Sequence, residues 1–379
     1  MKKNITIIAC LAAVAALAPA APSWGHGPAP QPEPDVLAEG LVSPLHLAIG
    51  TNKSVYVTQD FAGTLSRVNR DKSVETVYQA PQGWGVAGVE TRGATTFFLE
   101  TKGAGQGDPT ALGGYLKSIN PRGVARTIAD LAEHERSTNP DAGQHYGFAP
   151  GTSEQCLTEA AAVPQAPPAQ YTGALDSNPY AAYVQGNRAY VADAGANAIL
   201  KVSVNSGTVA TLAVLPPRPA VLTADAAAAL GAPTCAGFEY AFEPVPTDVE
   251  MGPDGWLYVS SLPGGPEVPA LGDRGAIFKV SPWTGEVKLW VEYILSPTGL
   301  AVANNGDVYV ASLFGNQILK FNGWKGHRTG FLAVGAPADV EIHGRTLYAT
   351  ADALGGPPPG PGAAPSGPPQ GKVVKADLR

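Results

Sequence analysis

Val55-Tyr56-Val57, Phe97-Phe98-Leu99, Ala189-Tyr190-Val191, Leu257-Tyr258-Val259, Val308-Tyr309-Val310 and Leu347-Tyr348-Ala349 are six apolar triplets, each centred on an aromatic ring. Turns marked by Gly or Asn precede them, as in Gly186-Asn187-Arg188, Pro253-Asp254-Gly255 and Asn304-Asn305-Gly306. Most lead into a second apolar run, such as residues 198–202 or 317–321. Aromatic and branched residues bounded by such turns read as short strands. The repeating unit is strand, turn, strand, loop, strand, with a fourth strand behind it.

The central aromatics fall 42, 92, 68, 51 and 39 residues apart. A basal period of about 40 residues is that of four-stranded sheets set around an axis. The two long intervals hold insertions, residues 130–176 and 216–244, rich in Pro, Ala and Gly. One sheet cannot cover both of its own faces, so each needs a neighbour on either side. The pattern predicts an all-β chain, a six-bladed β-propeller forming one domain over residues 35–379. The last repeat ends after its third strand, Lys372-Val373-Val374-Lys375-Ala376-Asp377, and Asp35-Val36-Leu37-Ala38-Glu39 precedes the first complete repeat. The N-terminal strand is therefore expected to complete the last blade and close the ring. Gly (45) and Pro (36) are abundant and charged residues make up only 15%, as suits many short strands joined by tight turns.

Met1-Lys2-Lys3-Asn4, the apolar residues 5–18 and Ala18-Pro19-Ala20 read as a charged start, an apolar stretch and a small-residue cleavage site. The expectation is an exported protein, secreted or periplasmic, with residues 1–20 a signal peptide and 21–34 a flexible lead. The apolar run is short for a membrane span, and none of sufficient length follows. Cys10 lies inside that run, which argues against a lipid attachment site. Losing Lys2 and Lys3 would make the formal net charge of −7 more negative still. A mildly acidic exported chain carries no footprint for nucleic acid. Cys156 and Cys235 would remain as the two cysteines, one in each insertion, and export predicts a disulfide between them.

Tyr190-Val191-Ala192-Asp193-Ala194-Gly195-Ala196-Asn197-Ala198-Ile199-Leu200-Lys201-Val202 resembles the NHL-type propeller repeat, in which Asp and Asn flank the loop between two strands. Their expected job is to bond nearby backbone amides. Together with Asp176-Ser177-Asn178-Pro179-Tyr180, residues 209–217, Phe242-Glu243-Pro244-Val245-Pro246-Thr247-Asp248-Val249-Glu250 and Ser260-Ser261-Leu262-Pro263-Gly264-Gly265-Pro266-Glu267, this segment resembles the ScyD/ScyE family. Those are exported propeller proteins named after genes in clusters for the sunscreen pigment scytonemin. The likeness runs from Val36 to Asp352, strongest over 176–311, and implies fold and export, with no assigned reaction to carry over. The Gly- and Pro-rich residues 355–371 depart from it and read as a loop in the last blade.

The first strand of each blade lines the channel, and its residues alternate between two faces. One face carries His46 and Ala48, Gly88 and Glu90, Asp248 and Glu250, Gly299 and Ala301, and Asp339 and Glu341, with Asn178 at the start of the third blade. Carboxylates converging on an axis repel one another unless protonated, paired or bridged by a cation, and oxygen ligands suit Ca²⁺. Asp248 and Asp339 are the expected cation pair. Propeller lactonases and gluconolactonases, which the architecture resembles, use such an ion to polarise a lactone carbonyl. His134 and His145 in the first insertion lack ligand spacing. Trp84, Trp256, Trp283, Trp290 and Trp324 fall near strand ends, where they pack sheets or offer a stacking platform. No phosphate loop, nucleophile elbow or zinc-protease motif is present. The reading is a monomeric recognition module for a small molecule or an extracellular protein, its insertions forming a collar on one face. The alternative is a divalent-cation-dependent, lactonase-like hydrolase working at the channel.

Overall fold

A computed structural model describes residues 32–164, 166–323, 325–354 and 368–378. The leader-like residues 1–20, residues 21–31, residues 355–367 of the Gly- and Pro-rich stretch, and Trp324 lie outside the described residues. The chain is all-β. After β1 (Asp35–Leu41), sheet 1 is β2 (Pro44–Ile49), β3 (Val55–Gln59), β4 (Thr64–Val68) and β5 (Val74–Gln79). Sheet 2 is β6 (Gly85–Arg92), β7 (Thr95–Lys102), β8 (Gly113–Ile119) and β9 (Ala125–Asp130). The first insertion follows, with α1 (Leu131–Thr138), β10 (His145–Phe148), α2 (Glu154–Ala161) and β11 (Gln170–Thr172).

Sheet 3 is β12 (Pro179–Gln185), β13 (Arg188–Asp193), β14 (Ala198–Ser203) and β15 (Val209–Val214). The second insertion holds β16 (Arg218–Val221), α3 (Ala224–Ala229) and β17 (Glu239–Phe242). Sheet 4 is β18 (Pro246–Met251), β19 (Leu257–Ser261), β20 (Gly275–Val280) and β21 (Val287–Ile294). Sheet 5 is β22 (Pro297–Val302), β23 (Val308–Ser312), β24 (Gln317–Phe321) and β25 (Arg328–Ala333). The last sheet joins β26 (Val340–His343), β27 (Thr346–Ala351) and β28 (Gly371–Asp377) to β1, with Val36 opposite Val374 and Ala38 opposite Val373.

The first strands touch in a circular order: β2 against β6, β6 against β12, β12 against β18, β18 against β22, β22 against β26, and β26 against β2. Buried apolar clusters follow the same order. Leu65, Val86 and Phe98 fill the gap between sheets 1 and 2; Leu99, Val191 and Leu200 between 2 and 3; Tyr190, Val249 and Phe278 between 3 and 4. Tyr258, Leu300 and Phe321 then fill the gap between 4 and 5, Tyr309, Val340 and Val374 that between 5 and 6, and Leu41, Val57 and Tyr348 that between 6 and 1. The aromatic triplets are legible in the sequence because their rings sit in these seams, where large side chains bury the most area.

The pairing registers fix which connections share an end. Pro44 lies opposite Gln59, Pro179 opposite Asp193, Pro246 opposite Ser261 and Pro297 opposite Ser312. The end where first strands begin is thus also the end where second strands stop. Connections 103–112, 131–178, 215–245, 262–274 and 352–370 all leave from that end. Among the described residues the strands are joined at the opposite end by short turns, such as 93–94, 186–187 and 344–345.

The two insertions meet in a seventh sheet, ordered β11, β10, β17, β16, over a core of Phe148, Leu222, Ala227 and Phe242. Both helices of this unit are capped by side chains, Ser153 accepting from Cys156 N and Thr223 from Ala226 N. Cys156 and Cys235, fully buried, form a disulfide across a separation of 79 residues. A non-reduced digest should therefore yield linked Cys156 and Cys235 peptides in its mass spectrum. Replacing both by Ser should cost up to about 4 kcal/mol on the chain-entropy model, seen as a lower melting temperature.

Candidate functional site

Five of the first strands break register near their start, between Pro44 and Leu47, Val86 and Val89, Pro179 and Ala181, Pro246 and Asp248, and Pro297 and Gly299. Such bulges re-aim side chains. With the bulges aligned, His46, Gly88, Ala181, Asp248, Gly299 and Asp339 occupy one level of the axis, and Ala48, Glu90, Tyr183, Glu250, Ala301 and Glu341 the next.

The upper level is crowded. A Cβ on Gly88 would stand 2.6 Å from Ala181 Cα, and one on Gly299 2.3 Å from Asp339 Oδ1. Asp248 and Asp339 are spent on backbone. Asp248 accepts from its own Val249 N (2.8 Å) and from Leu300 N of the next sheet (2.7 Å). Asp339 accepts from Val340 N (2.8 Å) and from Leu47 N of sheet 1 (2.8 Å). Each carboxylate pins one first strand to the next, so Asp248 and Asp339, the expected cation pair, act as staples between sheets. Burial pushes Asp248 up to about 7, and burial with the Asp248 charge pushes Asp339 well above the usual carboxylate range.

Glu90, Glu250 and Glu341 line the lower level, half-buried and towards the end with short turns. Burial raises all three. Glu90 rises to about 8, and the charges of Glu90 and Glu341 add to the effect on Glu250. Among the described residues no group of three or more His, Cys, Asp or Glu side chains is placed to hold one metal ion.

His46 stands at the other end, 3% exposed, with neither ring nitrogen hydrogen-bonded. Burial holds it neutral, pulling its pKa down to about 3. Tyr180 meets it edge-on with ring centroids 4.5 Å apart. Tyr180 also packs with Leu45, Leu313, Ala338 and Ala353, which come from sheets 1, 5 and 6. Tyr180, from sheet 3, thus joins His46 to a cluster drawn from three other sheets. Asp60, whose charge acts on Tyr180, is pushed up to about 6 by burial, with Oδ1 unpaired. Asn178 is separate from these groups: its Oδ1 accepts from Thr101 Oγ1 (3.2 Å) and its N–H donates to Asp193 (2.7 Å).

In sequence the channel candidates form one set; the structure divides them among staples, a lower glutamate level and a buried histidine. A second acidic group lies outside that set. Glu135, Asp141, Asp176, Asp193 and Glu243 gather where the first insertion meets sheet 3, and burial raises every one, Glu135 to about 8. Asp193 takes N–H groups from Asn178 and Ala196 and the Ser177 hydroxyl, and Asn197 joins Asp141 to Val245. These acids come from α1, β13 and the loops beside them, and their spacing in sequence gives no hint that they converge.

His134 bonds Thr211 and His145 is exposed in β10, opposite Thr172. Trp84 stacks on Tyr115, Trp290 packs against Tyr258, and Trp256 is half-buried under Lys288. Trp283 is 74% exposed but lies on a short turn at the plain end. Phe61 (48% exposed) and Phe314 (45%) are exposed on loops at the elaborated end.

No protein-family model and no curated protein matches the chain. Solved structures do. A gluconolactonase of Xanthomonas campestris is 11% identical, covering 91% of this chain and 89% of that one with a TM-score of 0.52. The PQQ-bound aldose sugar dehydrogenase of Streptomyces coelicolor is 14% identical, covering 92% and 99%, TM-score 0.52. A protein of unknown function from Bacteroides thetaiotaomicron is 11% identical, covering 90% and 75%, TM-score 0.53. The fold is a β-propeller. At such identities the likeness carries the fold alone.

Proposed function

We propose that the chain is an exported, six-bladed propeller closed by β1, and that it is a recognition module binding a small molecule with a flat apolar ring at its elaborated end. The observation that carries this reading is the asymmetry between the ends. Among the described residues the long connections between strands leave from one end, and Phe61 and Phe314 are exposed on loops at that end. Loops on a rigid scaffold are where binding residues concentrate. The buried disulfide between the insertions supports export, because such bonds persist in oxidising compartments. Membership of the ScyD/ScyE family rests on the segments over residues 176–311.

The lactonase-like hydrolase is the weaker reading. It needs free carboxylates converging on one point, and both oxygens of Asp248 and of Asp339 already accept backbone N–H groups. A panel of planar aromatic compounds and of lactones decides between the two, read by equilibrium binding and by ring-opening. The expected result is saturable binding of a planar aromatic compound, weakened about tenfold or more by Phe61→Ser with Phe314→Ser, since aromatic anchors dominate such contacts. Equal binding by the variant removes the proposed face, and lactone turnover by the wild type restores the hydrolase.

A further inference from the structure

Three buried oxygens in the first insertion have no hydrogen-bond donor: Glu135 Oε2, Asn139 Oδ1 and Asp141 Oδ1. Glu135 and Asp141 are each 1% exposed. Their other oxygens are taken, Glu135 Oε1 by Asp176 N (3.3 Å), and Asp141 Oδ2 by Asn197 Nδ2 (2.9 Å) and the Tyr146 hydroxyl (3.1 Å). An oxygen buried without a donor is costly, and two of these three sit on carboxyl groups.

The local chain brings them together. Glu135 lies in the last turn of α1 and Asn139, four residues on, caps that turn. The Asn139 backbone N–H donates to Glu135 O (2.8 Å) from a left-handed conformation with φ 38°. Its amide group donates to Gly173 O (3.2 Å). Gly173 in turn is pressed against Asp141, for a Cβ there would stand 2.0 Å from Asp141 Oδ1. Around them lie Asp176, Asp193 and Glu243, and among the described residues none of the five acids has an ion-pair partner within 4.0 Å.

We propose that Glu135, Asn139 and Asp141 form a Ca²⁺ site that fastens the first insertion to sheet 3. The donors are all hard oxygens, two anionic and one amide, with no imidazole or thiolate, which is the chemistry of Ca²⁺ rather than of zinc or copper. Two carboxylates do not complete a sphere of six to eight oxygens, and water and main-chain carbonyls supply the rest. The ion answers both the missing donors and the uncompensated acids. It also ties the elaborated end together, since Asp141 is bonded to Asn197 and Asn197 accepts from Val245 at the close of the second insertion. The site is distinct from the channel and does not depend on which ligand that end takes.

The test uses the oxidised protein after exposure to a chelator. CaCl₂ is titrated calorimetrically, and Tb³⁺ is added separately with Tyr146 as the sensitising ring beside Asp141. Expected are Tb³⁺ luminescence displaced by Ca²⁺, a raised melting temperature, and a dissociation constant of about 10⁻⁴–10⁻³ M, as in extracellular modules. Glu135→Gln and Asp141→Asn keep shape while removing charge, so both should fold, and each should weaken Ca²⁺ about tenfold or more. Glu90→Gln with Glu250→Gln should bind as the wild type does. No heat, no luminescence and no thermal shift at millimolar Ca²⁺ would mean that protons or water fill the site, and the proposal falls. It falls equally if the channel variant, and not the insertion variants, loses the ion.

Discussion

Removal of residues 32–41 should abolish a single cooperative melting transition, even though the segment is a small part of the chain. β1 supplies the outer strand of the last sheet, with register from Asp35 opposite Lys375 to Leu41 opposite Gly371. Its buried side chains, Ala38 and Leu41, lie in one cluster with Leu47, Val55 and Val57 of sheet 1 and Tyr348 and Val373 of the last sheet. The strand thus binds the two ends of the chain across one seam. Without it, the edge of β28 is unpaired and open to association. Leu41→Ala alone should cost about 2–5 kcal/mol, as expected of a large-to-small change at a buried site. Calorimetry with size-exclusion chromatography reads both outcomes. A truncated chain that melts like the full one, as a monomer, would show that the seam holds without its N-terminal strand.

The fold was legible because its cause is repetitive. Tyr190, Tyr258 and Tyr309 recur since each seam between sheets needs a large buried ring in the same strand, and Pro44, Pro179, Pro246 and Pro297 recur since a first residue of a strand tolerates the missing N–H. The disulfide between Cys156 and Cys235 is legible from one cysteine in each insertion, taken with the expectation of export. The candidate site was less legible. Alternation puts Asp248 and Asp339 on one face of their strands, but it is silent on which backbone N–H a carboxylate meets, and that depends on the neighbouring sheet. The convergence of Glu135, Asp141, Asp193 and Glu243 depends on how two insertions fold against each other, for which no period exists to be read.

Asp339→Ala should be among the most damaging single changes in the protein, and Asp248→Ala should match it. Asp339 is 6% exposed and Asp248 8%, and each satisfies two backbone N–H groups in adjacent sheets. A buried donor left unmet costs about 1–3 kcal/mol, so each Ala change, which strands two, should cost roughly 2–6 kcal/mol. Asn keeps one acceptor oxygen and should be milder. The pH dependence separates this role from simple charge removal. Both groups have folded-state values above those of the unfolded chain, to about 7 for Asp248, through burial and, for Asp339, the nearby Asp248 charge. The folded state therefore holds more protons than the unfolded state between about pH 4 and 7, and their contribution to stability declines as pH rises through that window. Glu90, Glu250 and Glu341 act in the same direction, while His46, with its value lowered to about 3, acts in the opposite one below its ordinary value. Chemical denaturation across that range should show wild-type stability falling with pH, and the double Ala variant should be less stable throughout but with a shallower slope. Stability that rises steadily from acid to neutral pH would mean that these carboxylates are ionised in the folded state and held by positive charge, and the staple account would give way to one built on a bound cation.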